Sequence, residues 1–568
     1  MKKLLLTLLL FLIVPILYAM PPMPGSGLKH DGSIREIETI EASEETPMLL
    51  RSATKSSAAK SSSISLGTKK ILVILASFDG YGFNAIIPGT SDKGATIPFA
   101  KVHDADYYYD LLQDGTGLTM SEFYQQQSLG AFNISFKILN ESKYTSKEKY
   151  DYYGVPTGGR SDSYPATFVE EMLKKLTAAD VDGVDPCCVI VIHSGPGEEQ
   201  GGVSDKCIWS HKSSMSIERD KGREPKVNPV TIDGKTFDNY IIVPEYNITN
   251  YESTVGVFCH EFGHILGLPD TYDTGVFAST AGEGAWSLMA SGSWGSLGNN
   301  SSSTPAGSDP APMLGWERAR LGWITETDIT PKSGEDKGYT FENINNPTAK
   351  LYRVDLGENQ YLTLEGKAKN MTGNGMAVPE SGLLITQLHN GILKSSRWNN
   401  NNINSGTWRT HGSMIVEAKA SNYKVNGLGN LWRGSSQDYW FTTTALFRSS
   451  TLASVGPDDS AIRADIPLLP VFIDTVIGSG VVITLLVLWY AGRRKLCAAT
   501  AVALAAVCIS MGCVVSGDSS GGAYDTGPNT NYYTSMTDVH SKTGKSGITI
   551  YNIKCDENGN GSFRIRKD

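Results

Sequence analysis

Apolar positions in the first half of the chain fall into two patterns. Nearly continuous apolar runs at 70–78 and 189–193 are followed by Asp, Ser and Gly, which predicts buried strands ending in turns. Residues 131–139 alternate and predict a further strand. Helical spacing of apolar positions predicts helices over 105–112, 120–127 and 164–176. Strands that alternate with helices indicate a layered structure of both types.

The pattern changes after about residue 325. Short strand-like runs at 350–354, 360–364 and 382–388 are separated by clusters of Asn, Gly and Ser, which predicts a β-rich region over 325–465. The Asn-rich stretch 398–404 predicts an exposed loop. The two halves together predict an α+β fold. Residues 517–568 form a polar, Gly-rich tail in which we recognise no structural signal.

The start of the chain has the features of an exported protein. Lys2 and Lys3 precede a short apolar run, and Ala19 is a candidate last residue before cleavage. Residues 1–19 are therefore predicted to be a secretory signal, with an uncleaved membrane anchor as the alternative. Residues 20–67 are rich in Ser, Pro, Glu and Lys, which is typical of a pro-segment or linker.

Two apolar stretches lie within residues 466–516, and three basic residues separate them. Each stretch approaches the ~20 residues that cross a bilayer. The basic turn would stay cytoplasmic, so a membrane hairpin over 471–515 would leave both the preceding region and the tail outside. A sorting signal that is later removed, or a lipid on Cys513, are the alternatives.

Composition narrows the function classes. The 568 residues carry a net charge of −9, which argues against a nucleic-acid binder, since that class needs a basic surface. Export permits disulfides, and one is compatible with the four cysteines at 187, 188, 207 and 259, although the sequence does not identify the pair. No cysteine pair has zinc-finger spacing, so a cysteine metal site is not expected.

The strongest chemical signal is the pair His260 and His264, with Glu261 between them. Four residues separate the histidines, so a helix places both imidazoles on one face, one turn apart. Two neutral imidazoles in this arrangement suit a single zinc ion. Glu261 then faces the same metal and is the candidate general base that takes a proton from water.

A third ligand is expected shortly after the helix. Gly267 permits the chain to leave the helix and Pro269 prevents its continuation, so the chain can fold back with Asp270 toward the metal. Two histidines and one carboxylate leave a fourth position for water, as in catalytic zinc sites. Asp273 and Glu283 compete for this role, and Asp270 itself could instead be a turn residue or a calcium ligand.

Other residues near the motif have weaker signals. Met289 lies in a small-residue segment after the site, where zinc peptidases of the metzincin type have a methionine turn that packs beneath the metal. His211 could contact substrate or an oxyanion, but a structural hydrogen-bonding role is favoured, and the same holds for His193. Tyr272 is a candidate oxyanion donor to which we assign no role.

The segments HEFGHILGLPDTYD (260–273) and WSLMASGSW (286–294) resemble the immune inhibitor A (M6) family of secreted bacterial metallopeptidases. The segments 207–211, 310–316 and 381–385 are also similar to that family. The resemblance implies a zinc endopeptidase acting on proteins, with His260 and His264 as ligands and Glu261 as base. It also implies a metzincin-like mixed sheet with the active helix beneath a cleft.

Relatives in this family carry calcium, so the Asp-rich segment 180–185 is a candidate remnant of a calcium site. The resemblance places the catalytic domain at 68–324 and makes 325–465 a continuation of the peptidase module.

The sequence therefore predicts an extracytoplasmic metalloendopeptidase, secreted or membrane-anchored, with one zinc ion and protein or peptide substrates. The alternative is a catalytically silent surface binding or adhesion protein on the same fold.

Overall fold

The computed structural model describes most of the region between residues 64 and 415, together with short segments outside it. The described residues are 18–21, 64–85, 101–155, 162–200, 206–247, 252–274, 282–297, 305–357, 359–370, 375–378, 381–405, 412–415, 446–447, 461–464 and 548–567.

Within these ranges the chain is a mixed α+β structure with several sheets. The strands are β1 Tyr18–Ala19, β2 Gly67–Ala76, β3 Phe132–Leu139, β4 Val189–Pro196, β5 His211–Ser214, β6 Val230–Ile232, β7 Lys235–Phe237, β8 Asn239–Tyr246, β9 Glu326–Asp328, β10 Asp336–Phe341, β11 Leu351–Gly357, β12 Gln360–Lys367, β13 Gly382–His389, β14 Ser413–Ile415, β15 Leu446–Phe447, β16 Ala461–Ala464, β17 Ile548–Cys555 and β18 Gly561–Lys567. The helices are α1 Ala105–Tyr109, α2 Met120–Gln127, α3 Tyr150–Gly154, α4 Pro165–Leu173, α5 Ala178–Val181, α6 Met215–Asp220, α7 Val255–Ile265, α8 Gly315–Arg320, α9 Asn390–Leu393 and α10 Ser396–Asn399. A π-helical segment, Asp110–Asp114, continues α1.

A six-stranded sheet in the order β1-β5-β8-β4-β2-β3 forms the first layer. Strands β3, β2, β4 and β8 run parallel, whereas β5 is antiparallel to β8 and β1 is antiparallel to β5. Alternate side chains of β2 enter different cores: Ile71 and Val73 pack with α2 and α7, and Leu72 and Ile74 pack with α4. Parallel strands buried on both faces read as continuous apolar runs, which explains the sequence pattern of β2 and β4.

The β-rich region forms two further sheets. One has the order β14-β13-β12-β11-β9, and β13 contributes Leu384 and Leu388 to the same apolar core as α7. The other has the order β10-β18-β17-β16. Strand β18 pairs antiparallel with β10 across more than two hundred residues of sequence. Residues 548–567 of the tail therefore form part of a sheet, with Ile550 and Ile565 fully buried.

Most predicted elements between 64 and 393 have close counterparts in the structure. The prediction of an exposed loop at 398–404 is wrong, because Trp398, Asn401, Ile403 and Asn404 are all buried. Asparagine-rich segments are commonly exposed, but Asn401 and Asn404 bond to residues about 130 positions away in the chain. The described cysteines at 187, 188, 207, 259 and 555 are free thiols, so no disulfide forms among them.

The predicted membrane hairpin lies outside the described residues, as does most of the predicted signal. In the part of the chain that the structure describes, no helix is long and apolar enough to span a membrane.

Candidate metal centre

Helix α7 carries both histidines of the motif, and every one of its residues is buried. Its end is fixed by backbone bonds from Gly267 to His264 (3.0 Å) and from Leu268 to Gly263 (3.1 Å), with Gly267 at φ +95°. This is the Schellman arrangement, in which a left-handed glycine satisfies the last carbonyls of a helix. The predicted turn at Gly267 is thus present, and it directs the chain back along the helix.

Two backbone carbonyl oxygens fix both imidazoles in the tautomer that a metal requires. His260 Nδ1 lies 2.9 Å from the carbonyl oxygen of Leu288, and His264 Nδ1 lies 2.7 Å from that of Leu268. A carbonyl oxygen can only accept, so each Nδ1 carries the proton and each Nε2 presents a lone pair. Burial also lowers the pKa of His264 to about 4, which keeps that ring neutral.

Asp270 meets both imidazoles. Its Oδ1 lies 3.1 Å from His260 Nε2 and 3.4 Å from His264 Nε2, and all three side chains are inaccessible to solvent. Burial opposes ionisation of Asp270, and positive charge at the position of the two imidazoles lowers the pKa of this carboxyl; since both rings are neutral, a bound cation would supply that charge. A carboxylate oxygen and two imidazole lone pairs therefore converge on one point.

This donor set fits a divalent cation. With Nδ1 protonated, neither His260 Nε2 nor Asp270 Oδ1 can donate to the other, and neither has a hydrogen-bond partner among the described residues. Converging buried acceptors are costly unless a cation lies between them. Two imidazoles and one carboxylate are a donor set typical of zinc.

Glu261 lies on the same helix, and its ligand atoms and those of His260 and His264 are within 4.8 Å of one another. Burial raises the pKa of Glu261 well above its usual range, and the carboxylates of Asp270 and Glu199 raise it further. Neither carboxylate oxygen completes a hydrogen bond with the described residues, although the backbone N–H groups of Lys212 and Met20 are close enough to lower this pKa. The Glu261 side chain therefore lies between the histidine side chains of the motif and strand β5.

Met289 lies directly against the motif helix. A Cβ added at Gly263 would come within 2.5 Å of its Sδ, so the helix can approach the methionine only because residue 263 is glycine. The backbone N–H of Thr271 donates to the carbonyl oxygen of Met289 (2.8 Å). The loop that carries Asp270 is therefore tied to the methionine segment.

An extended piece of the chain lies across this centre. Strand β1 pairs antiparallel with β5, and the Met20 N–H donates to the carbonyl oxygen of Ser210 (3.2 Å). Two indole N–H groups donate to the carbonyl oxygens that follow: Trp209 Nε1 donates to the carbonyl oxygen of Met20, and Trp294 Nε1 donates to that of Pro21, each at 2.9 Å. The Met20 side chain is fully buried in the core that includes α7.

The remaining candidates have other partners. His211 Nδ1 lies 2.7 Å from the carbonyl oxygen of Trp209 and its Nε2 lies 3.2 Å from the Tyr240 hydroxyl, as expected of a structural histidine. Burial lowers the pKa of His193 to about 4, and its Nδ1 contacts the Ser194 carbonyl oxygen (3.0 Å).

Of the three acidic and phenolic candidates, Tyr272 has its hydroxyl within hydrogen-bonding reach of Asp270. Glu283 Oε1 accepts a hydrogen bond from Trp316 Nε1 (2.8 Å). Asp273 is buried within electrostatic reach of Arg397.

Two of the three aspartates in segment 180–185 form ion pairs with different lysines. Asp180 pairs with Lys143 (2.9 Å) and Asp185 pairs with Lys69 (2.8 Å). In the described part of the chain, the group formed by His260, Glu261 and His264 is the single side-chain cluster whose ligand atoms lie this close together. Calcium at this segment stays a prediction.

The sequence contains no indication of the residues that hold Asp270 and that lie far from it along the chain. Asn401 bonds to both the backbone and the carboxylate of Asp270, and Asn404 Nδ2 donates to the carbonyl oxygen of Thr271 (2.6 Å). A polar, Asn-rich segment gives no signal for such contacts, because they join positions about 130 residues apart.

Comparisons with known proteins agree with the motif. Residues 177–324 match the catalytic domain of immune inhibitor A peptidase M6. The pre-pro-metalloprotease PrtV of Vibrio cholerae serotype O1 is 25% identical over 336 residues, which cover 51% of this chain and 34% of that protein. Immune inhibitor A of Bacillus thuringiensis subsp. alesti is 26% identical over 356 residues, covering 52% and 49%. The matched parts thus amount to between a third and a half of the length of these relatives.

Proposed function

We propose, from the match of residues 177–324 to the catalytic domain of immune inhibitor A peptidase M6, that the chain is a zinc-dependent metalloendopeptidase that hydrolyses peptide bonds of proteins. The observation that carries the proposal is that His260 Nε2 and His264 Nε2 both lie within 3.4 Å of Asp270 Oδ1, with Glu261 close to the two histidines. We assign the first three as zinc ligands and Glu261 as general base.

The chemistry follows from this assignment. When bound, zinc supplies Lewis-acid polarisation of the peptide carbonyl and increases the acidity of water. Glu261 accepts the proton of the attacking water as the new carbon–oxygen bond forms. It then returns that proton to the amide nitrogen as the carbon–nitrogen bond breaks.

Strand β1 supports a peptide as the substrate. Residues 18–21 lie extended beside β5. The Met20 N–H donates to the carbonyl oxygen of Ser210, and the indole N–H groups of Trp209 and Trp294 donate to the carbonyl oxygens of Met20 and Pro21. Main-chain bonds along a sheet edge recognise any extended peptide, independent of its side chains. Residues 18 and 19 belong to the predicted signal, whereas Met20 and Pro21 belong to segment 20–67. A substrate that used this edge would compete with Met20 and Pro21, so we propose that segment 20–67 keeps the enzyme latent until these two residues leave the edge.

The finer features of the fold and location belong to the same proposal. We propose a metzincin-like arrangement, supported by the contact of Met289 with Gly263 under the motif. We also propose an extracytoplasmic location after removal of residues 1–19, with membrane association through 471–515. Fractionation of cells expressing the full chain tests the last point, since a purely soluble product contradicts it.

Metal analysis joined to a protease assay tests the function. The purified chain should hold about one zinc, cleave casein, lose activity to a chelator and regain it with added zinc. Glu261→Gln should keep zinc and lose roughly 10²–10⁴-fold in kcat, the usual contribution of a general base. Glu122→Gln is a matched control, since Glu122 is an exposed capping residue of α2 and glutamine serves the same position.

Two results would contradict the proposal. If Glu261→Gln cuts casein as fast as the parent, Glu261 is not the base. If the parent binds zinc stoichiometrically but cleaves no protein after its N-terminal segment is released, the alternative of a silent surface binding protein is favoured.

A further inference from the structure

One side chain from the β-rich region holds two parts of Asp270 at once. The backbone N–H of Asp270 donates to Asn401 Oδ1 (2.6 Å), and Asn401 Nδ2 donates to Asp270 Oδ2. Both residues are fully buried. Because Oδ2 is occupied in this way, Oδ1 is the oxygen directed at the two imidazoles.

The backbone around Asn401 is built for this contact. Asn401 adopts φ +50°, a left-handed conformation that asparagine tolerates better than most residues. Its backbone N–H donates to Trp398 (3.2 Å), and its carbonyl oxygen accepts from Thr274 Oγ1 (2.7 Å). Amide, carbonyl and side chain of one residue thus all have defined partners, so the position of Asn401 is fixed.

A second asparagine reinforces the same loop. Asn404 Nδ2 donates to the carbonyl oxygen of Thr271 (2.6 Å), while its Oδ1 accepts the backbone N–H groups of Gly412 and Ser413 (3.0 Å each). Segment 396–405 therefore bonds at several positions to residues 270–274, which follow the motif helix.

We infer that Asn401 is a positioning residue for Asp270 as a metal ligand, and that segment 396–405 completes the metal centre from outside the matched region 177–324. The inference rests on the proposed zinc site. An outer-shell donor fixes which carboxylate oxygen faces the metal and stops the carboxylate from rotating. Removing such a partner commonly costs 10–100-fold in metal affinity.

Two substitutions at Asn401 separate positioning from simple packing. Asn401→Gly keeps the left-handed backbone but removes the amide. Asn401→Asp keeps the shape and the acceptor for the Asp270 N–H, but turns the donor into a carboxylate oxygen that faces Asp270. Asn359→Gly is the matched control, because Asn359 is exposed and also left-handed, at φ +65°.

The measurement is the zinc dissociation constant of the full chain, obtained by competition with a chromophoric chelator. We expect Asn401→Gly to raise it 10–100-fold, Asn401→Asp to raise it at least as much, and Asn359→Gly to leave it within twofold. Cleavage of casein by Asn401→Gly should recover as free zinc is raised, since a positioning defect limits occupancy first. Thermal melting of each metal-free variant reports folding separately.

The outcomes separate this inference from the proposed function. If either folded Asn401 variant binds zinc as tightly as the parent, the positioning role is refuted, whether or not the parent is a peptidase. If both variants lose zinc while the parent binds it and cleaves no protein, Asn401 is confirmed as a positioning residue and the peptidase proposal fails. Should Asn401→Gly not fold, the isosteric Asn401→Asp decides alone.

Discussion

A buried carboxyl pair beneath the metal-binding loop should make folding depend on pH. Glu283 is 1% exposed, accepts a hydrogen bond from Trp316 Nε1 (2.8 Å), and donates its backbone N–H to the carbonyl oxygen of Thr271 (3.1 Å). Burial raises the pKa of Glu283 from 4.5 to about 7. Burial and the proximity of Glu283 raise the pKa of Glu317 as well. At neutral pH the pair therefore retains a proton that exposed carboxyls have lost.

The sign of the effect follows from proton binding. Between pH 4.5 and about 7 the folded state keeps the Glu283 proton, which the unfolded state has released. The free energy of unfolding therefore falls as pH rises through this window, and it levels off above it. The difference between the pKa of Glu283 in the unfolded state and its pKa in the folded state corresponds to roughly 3 kcal/mol in the free energy of unfolding. A carboxyl with a lowered pKa would give the opposite slope.

Denaturant unfolding of the metal-free chain at pH 5 and at pH 8.5 measures this loss. The glutamine of Glu283→Gln is always neutral and keeps an oxygen that accepts from Trp316. We therefore expect the free energy of unfolding of the parent to fall by roughly 3 kcal/mol more than that of Glu283→Gln between pH 5 and pH 8.5. The comparison between the parent and Glu283→Gln cancels contributions from the histidines and from carboxyls that do not interact with Glu283, whereas the change includes the effect of Glu283 on Glu317. Equal pH dependence in the two proteins would refute the argument.

Two further substitutions test the packing of the site and the strand that lies across it. Gly263→Ala should lower the melting temperature and weaken zinc binding, because its Cβ would meet Met289 Sδ at 2.5 Å; a melting curve matching the parent would contradict the packing. Met20→Asp places a carboxylate in a fully buried position near Glu261, so Met20 and Pro21 should detach from Ser210, Trp209 and Trp294, and the initial rate of peptide cleavage by the mature chain should rise several-fold. Met20→Leu is the control for this substitution. N-terminal sequencing shows whether the parent and both variants begin at the same residue after processing. An unchanged rate for Met20→Asp would show that residues 20 and 21 do not obstruct the cleft.

The local parts of the site could be recognised from the sequence. Spacing of four placed His260 and His264 on one helical face, and Gly267 followed by Pro269 signalled the helix end. These features depend on residues within one or two turns of each other, so periodicity and turn chemistry specify them. The buried strands β2 and β4 were equally visible, since both faces of a parallel strand are apolar.

Contacts between distant segments were decided only by the tertiary structure. Asn401 meets Asp270 across 131 positions, β18 pairs with β10 across more than two hundred, and β1 lies on β5. An asparagine in a polar stretch has the same local pattern whether it faces water or a buried carboxylate. The sequence by itself determined the residues able to bind a metal and the helix that presents two of them. The orientation of the third depends on a hydrogen-bond partner that only folding brings near, because side-chain hydrogen bonds leave no periodic trace along the chain.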